Sequence, residues 1–342
     1  MIKRSNPRPL YLQLADYLRE QIKSGQIKPG DKLDSEPEMV KKYGVARQTI
    51  REALQQLVNE GFVVKKHGKG SFCNISYQRK NIDVLLDIKD YYFIPYYMQS
   101  ISRVLDQYHA NLIAGDTKNN SAQVARLLKE IALRGSDGII LQGSPESHPA
   151  REELTEAFQM LEERGIPVIM IDYAYDFVPC SSVVMDEVES GVVAGTYLKK
   201  MGHRRVACVT VSENALSDFR KKGLEQVMGT VPEIVFDKEL SHSLQHAMDS
   251  GMTGIFCFSD QVAKECMDCL SDCSVPERLS VVSVDDTMIS TFYHLTSVAH
   301  PKELIGEYAA KALMEGTIPV KKVFPPVLME RNSVKNLRKD EL

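Results

Sequence analysis

The stretch Ser35-Glu36-Pro37-Glu38-Met39-Val40-Lys41-Lys42-Tyr43-Gly44, followed at once by Val45-Ala46-Arg47-Gln48-Thr49-Ile50-Arg51-Glu52-Ala53-Leu54-Gln55-Gln56-Leu57-Val58-Asn59-Glu60-Gly61, decides how the first part of the chain folds. Ser35 with Glu38 three residues on is a capping box, and Pro37 suits a first helical turn. That short helix stops at Gly44. In the next, Ile50, Ala53, Leu54, Leu57 and Val58 repeat at helical spacing and predict one buried face, while Arg47, Gln48 and Arg51 project from the others. Two helices across a tight glycine turn predict a helix-turn-helix, whose second helix lies in the DNA major groove. Arg47, Gln48, Thr49 and Arg51 are then placed to read base edges, since arginine pairs bidentately with guanine and glutamine with adenine.

The flanks agree. Upstream, Leu10, Leu14, Tyr17, Leu18 and Ile22 stripe a helix that Gly25, Pro29 and Gly30 break. Downstream, the run from Phe62 to Phe72 reads as two short strands about a basic glycine turn, a wing that sets His67 and Lys69 against phosphates. Charge follows the same division. Residues 1–75 hold 14 Lys and Arg against 8 Asp and Glu, a net of +6, whereas the remainder carries −10. Only the first module is thus expected to meet a polyanion, double-stranded operator DNA.

A lone basic residue is usually a solvated charge, but this combination is specific. Residues 10–73 resemble the GntR-type DNA-binding domain along their length, through P29-G-D-K-L-D-S-E, Y43-G-V-A-R-Q-T-I-R-E-A-L and H67-G-K-G-S-F. The resemblance places Glu36, Arg47, Thr49, Arg51, His67, Gly68 and Lys69 on DNA-contact positions. Pro37 departs from the family pattern, where a basic or polar residue is usual.

Beyond a polar stretch at 74–80 the pattern becomes strands alternating with helices. Strand candidates are residues 82–88, 111–115, 137–143, 167–172, 182–185, 205–211, 254–259 and 279–285. This predicts parallel α/β sheets with crossover helices, which bind ligands beyond the carboxyl ends of their strands. At those ends stand Asp90 with Tyr91, Tyr92 and Phe93, Asp172 with Tyr173, Tyr175 and Phe177, then Asp260, then Asp285. Aromatic faces with carboxylates suit a sugar, which offers a C–H face and paired hydroxyls; with no Trp in the chain, Tyr and Phe must stack.

The segments V183-V-M-D-E-V-E-S-G-V-V-A-G-T-Y-L-K-K-M-G-H, F256-C-F-S-D-Q-V-A, L279-S-V-V-S-V-D-D and L295-T-S-V-A-H-P-K-E-L-I-G-E-Y-A-A resemble the effector domain of LacI/GalR regulators, over about residues 80–335. That family is two-lobed and related to periplasmic sugar-binding proteins; its chain crosses between lobes three times and its effector lies in the cleft. The fold class implied is an α/β two-lobed body with a small N-terminal winged helix-turn-helix. Domains are expected at 1–73, with a linker at 74–80 and the effector and dimerisation body at 81–342. One lobe takes 81–172 plus 301–315, the other 186–290 plus 320–335. A GntR head on a LacI body is similar to the arabinose repressors, and T117-K-N-N, Y92-F-I-P and H300-P-K fit that subgroup. The resemblance implies effector contacts at Arg220, Asp260, Asp285 and His300, to which the strand-end reading adds Asp90, Tyr92 and Tyr173.

The function implied is a homodimeric repressor released from its operator by a small sugar such as arabinose. An activator of the same build is the alternative. A sugar-modifying enzyme is remote, for no phosphate loop or nucleophile elbow is present. No catalytic residue, metal or cofactor is expected. The seven cysteines show no disulfide framework, and Cys266, Cys269 and Cys273 follow helical spacing as core thiols. Residues 1–7 lack a signal peptide's apolar stretch and no apolar run reaches about 18 residues, so a cytoplasmic protein without a membrane partner is expected.

Overall fold

A computed structural model describes residues 8–74, 79–89, 93–270 and 279–338. The chain divides into two compact units, residues 1–80 and 81–342.

In the first unit α1 (Leu10–Lys23), α2 (Glu36–Tyr43) and α3 (Arg47–Asn59) precede a hairpin of β1 (Val63–Lys66) and β2 (Gly70–Cys73). Leu14, Leu18 and Ile22 of α1 meet Ile50, Ala53, Leu54 and Leu57 of α3 in one core, closed by Met39, Phe62 and Val63. Such a small core leaves the outer face of α3 free of packing duties.

The second unit continues with β3 (Asn81–Leu86), α4 (Ile94–Gln107), β4 (Asn111–Asp116), α5 (Ser121–Arg134), β5 (Gly138–Gln142), α6 (Arg151–Glu163), β6 (Val168–Ile171) and β7 (Ser181–Met185). Then come α7 (Glu187–Lys200), β8 (Val206–Thr210), α8 (Ala215–Met228), β9 (Glu233–Val235), α9 (Leu240–Asp249), β10 (Gly254–Cys257) and α10 (Asp260–Cys269). It ends with β11 (Ser280–Asp285), α11 (Met288–Phe292), β12 (Thr296–Ala299), α12 (Lys302–Glu315), β13 (Lys321–Phe324) and β14 (Val327–Met329). Two six-stranded sheets result, ordered β13-β7-β6-β5-β3-β4 and β14-β12-β11-β10-β8-β9. All pairings are parallel except β12 with β14. Strands such as β8 and β10 are buried along their whole length, as a sheet covered on both faces requires.

The chain passes between lobes after β7, after β12 and between β13 and β14. α12 returns to the first lobe and packs on α4 and β5–β7. Two boundaries differ from the sequence reading. The first sheet includes β7, so that lobe runs on to Met185. Residues 320–335, expected wholly in the second lobe, are divided. Val320 and Ser182 are bonded to start β13 along β7; Pro325 and Pro326 then interrupt the ladder, having no N–H, and β14 joins β12 instead.

Candidate functional site

In the head, the Ser35 hydroxyl accepts from the Glu38 N–H at 3.4 Å, and the Glu38 carboxylate accepts from the Ser35 N–H at 2.8 Å. Gly44, at φ 66°, takes the left-handed turn that ends α2 and launches α3. Glu36 accepts from Arg47 Nε at 2.7 Å and Arg51 Nε at 3.0 Å. Arg47, then Arg51, hold this carboxyl below its ordinary value. Glu36 thus ties both arginines together at the start of α3. Gln48 is exposed and bonded to Glu52 at 3.0 Å; Thr49 is half-buried beside it. His67, Gly68 and Lys69 form the exposed tip of the wing, with Gly68 at φ 69°.

In the body, a 130 Å³ cavity lies between the lobes. Asp87, Phe93, Asn119, Gln142 and Asp172 line it from the first lobe; Asn214, Arg220, Phe258 and Asp285 line it from the second. Most stand at the carboxyl ends of parallel strands. Gln142 donates to Asp172 at 2.8 Å and accepts from the Asp87 N–H at 3.0 Å, which fixes the amide. Arg220 is buried; its Nε donates to Glu187 at 2.6 Å, Nη1 donates to the Phe258 carbonyl, and the guanidinium lies 4.7 Å from the Phe258 ring centroid. Burial opposes this charge, but Glu187, Asp285 and Asp172 more than offset it and raise its pKa. Burial likewise pushes the Asp172 carboxyl up, while His300, Gln142 and Arg220 prevail and hold it below the usual value. Asp172 and Asp285 both have positive φ, 66° and 109°, strain of the kind that clusters at ligand sites.

Of the expected effector residues, Arg220 and Asp285 meet in this cavity. His300 lies behind it, with Phe93 5.0 Å away ring to ring and Asp172 Oδ1 3.3 Å from Nε2. Asp260 is a correction. It turns into the second lobe, where Ser283, Ser297 and the Thr287 N–H and hydroxyl all donate to its carboxylate, leaving nothing for a ligand. Tyr173 is a second: its ring packs 5.8 Å from Tyr175 at the edge of the first lobe's core and does not line the cavity. Asp90 and Tyr92 lie outside the described residues. The sequence reading missed Asp87, Asn119, Gln142, Asn214, Phe258 and Glu187. Asp87, Gln142 and Phe258 each stand one residue before the end of a strand candidate. A larger groove of 740 Å³ beside α6, β6 and β7 is mostly apolar and walled by the first lobe alone, so lobe closure does not act on it.

Cleft and head together define a ligand-responsive, DNA-binding transcription regulator. Residues 10–73 match the bacterial regulatory proteins of the gntR family; residues 84–231 match the periplasmic binding proteins and sugar binding domain of the LacI family, and 196–334 a periplasmic binding protein-like domain. The chain thus joins a GntR-type helix-turn-helix to a LacI-type effector domain. It is 29% identical to an arabinose metabolism transcriptional repressor of Halalkalibacterium halodurans, over 87% of this chain and 88% of that one. The protein of the same description from Geobacillus stearothermophilus is 27% identical, over 96% and 98%. Among solved structures, a LacI family transcriptional regulator from Silicibacter pomeroyi superimposes with a TM-score of 0.66 at 20% identity, covering 75% of this chain and all but 1% of that one. No helix among the described residues is long and apolar enough to cross a membrane.

Proposed function

We propose that this protein is a repressor that grips its operator as a homodimer and releases it when a small sugar, arabinose or a close relative, closes the cleft. It acts by binding rather than catalysis, in the cytoplasm with the DNA it controls. The observation that carries this reading is the cavity itself. Carboxylates, carboxamides, a guanidinium and two phenyl rings face one volume from both lobes, which suits a polyol with one C–H face. The arabinose repressors among its relatives align over 87% and 96% of this chain, head and body together, which favours that sugar.

A ligand moves such an equilibrium only by its differential affinity for the two states, typically about 1–3 kcal/mol. Operator titrations with and without each of a panel of pentoses and hexoses test this. One sugar is expected to weaken operator binding, and operator to weaken that sugar's binding by the same factor. No response of operator binding to any sugar would sink the reading.

The DNA contacts are separately testable. Arg47→Ala is expected to cost about 1–3 kcal/mol on operator and to relax preference at one base position. Lys69→Ala should weaken all sequences alike and flatten the salt dependence. Unchanged operator affinity in Arg47→Ala would remove α3 from the groove.

A further inference from the structure

We propose that Asp172, Glu187 and His300 form a binding site for a divalent transition-metal ion behind the effector cavity. One ligand atom from each lies within 4.8 Å of the others. They come from three distant parts of the chain: the residue after β6, the first residue of α7 and the segment between β12 and α12. Glu187 and His300 therefore belong to two of the passages between lobes.

The second observation is unmet bonding. Among the described residues, Glu187 Oε1 and His300 Nδ1 are buried without a hydrogen-bond partner, and so is the Tyr97 hydroxyl, whose ring is 6.3 Å from that of His300. Glu187 is 7% exposed and His300 3%. His300 Nε2 faces Asp172 Oδ1 at 3.3 Å, which leaves the other ring nitrogen to be served. Buried polar groups are nearly always paired, so several together call for an occupant.

Charge indicates which occupant. Arg220 faces Glu187, Asp285 and Asp172, and Lys302 faces Asp285, Asp260 and Asp286. Arg220 Nε serves Glu187 Oε2, not Oε1. Lys302 Nζ donates to the backbone carbonyls of Asp285, Asp286 and His300. Carboxylates outnumber these two cations, a costly state in a buried place unless further positive charge is supplied. A proton shared by His300 and Asp172 would balance the charge yet leave Glu187 Oε1 and the second ring nitrogen unserved. A neutral water would bond but not balance. A metal ion does both. One imidazole nitrogen with two carboxylate oxygens suits zinc, cobalt or manganese, and has too few oxygens for calcium. Held from both sides of the hinge, the ion would bear on lobe closure whatever the effector is.

The test uses cobalt(II) as the probe, added to the full chain after chelator treatment and dialysis, with no sugar present. Visible absorption should saturate at one equivalent, without the near-ultraviolet band of thiolate ligation, and zinc should displace the cobalt. Glu187→Gln and His300→Gln should each weaken cobalt by at least about tenfold, the loss that removing even an outer partner brings. Circular dichroism checks that each variant is folded, and either folded one suffices. Cys269→Ser, which alters an exposed thiol, should change nothing. A thiolate band, loss of binding in Cys269→Ser, retention in the folded Gln variants, or no saturable uptake by the wild type would each overturn the proposal. Because no sugar enters these titrations, their failure leaves the effector reading standing.

Discussion

Arg220→Ala is expected to abolish the response to effector and to lower the melting temperature of the body markedly. The first effect follows from position, since Arg220 shares the cavity with Asp285 and Asp172. The second follows from burial. Arg220 and Glu187 are 3% and 7% exposed and joined at 2.6 Å, so deleting the guanidinium strands a carboxylate out of reach of water. Breaking a buried pair from one side costs about 3–5 kcal/mol, and for a body of this size that is a fall on the order of 10 °C. The LacI resemblance alone suggests a pure binding mutant with an intact fold; the buried partner changes that expectation. Arg220→Ala combined with Glu187→Gln should recover much of the stability and none of the response, because it removes the stranded charge but restores no ligand contact. Thermal melts of the four proteins of this cycle, with and without sugar, separate the two roles. An unchanged melt for Arg220→Ala would mean that the pair is not buried as described.

How much of this was legible differs by element. The helix-turn-helix could be read because its signals are local: a cap, a glycine stop and an apolar stripe all fall within 27 residues. Seven of the eight strand candidates could be read because strands covered on both faces are unbroken apolar runs; the eighth, β4, is a partly exposed edge strand with a short apolar run. Edge strands escape that test. β13 begins Lys321-Lys322 and has only one neighbour, β7, so its lobe is set by a pairing 139 residues away. The site fared unevenly for the same reason. Asp260 and Asp285 both lie at strand ends, and nothing local says which of them faces the cleft. The answer lies with Ser283, Thr287 and Ser297, which come 23 to 37 residues later and draw Asp260 inward. Glu187 looks like any acidic residue in a first helical turn; only α8, bringing Arg220 against it, makes it part of the site. Tyr173, Tyr175 and Phe177 show the converse. Their spacing suggested a stacking surface, yet Tyr175 is 2% exposed and its hydroxyl accepts from the Ser144 N–H at 3.0 Å, so the cluster serves the first lobe's core.

Gly223→Ala is expected to destabilise the second lobe and to weaken effector binding together. α7 and α8 touch through bare backbone at two glycines. A Cβ on Gly223 would lie 1.8 Å from the Val188 carbonyl oxygen; one on Gly191 would lie 2.0 Å from the Arg220 carbonyl oxygen and 2.6 Å from the Leu224 nitrogen. Neither neighbour is a side chain that can swing aside, so the helices must part. Replacing a helical glycine by alanine gains up to about 1 kcal/mol in backbone entropy. Overpacking of a close-packed contact costs about 1–3 kcal/mol and sometimes more, and at 1.8 Å the larger cost should prevail. The displaced backbone is also the one that carries Glu187 and Arg220. Gly195→Ala supplies the control on the same interface. The atoms nearest its Cβ would be side-chain carbons of Leu224 and Val227 at 3.2 Å and the Leu224 carbonyl oxygen at 3.5 Å, so the gain and the cost should nearly cancel. The checks are melting temperature and sugar affinity of the two variants against the parent. Should Gly223→Ala melt higher than the parent, as alanine in an open helix would, then α7 and α8 do not meet backbone to backbone, and the placing of Arg220 against Glu187 falls with that contact.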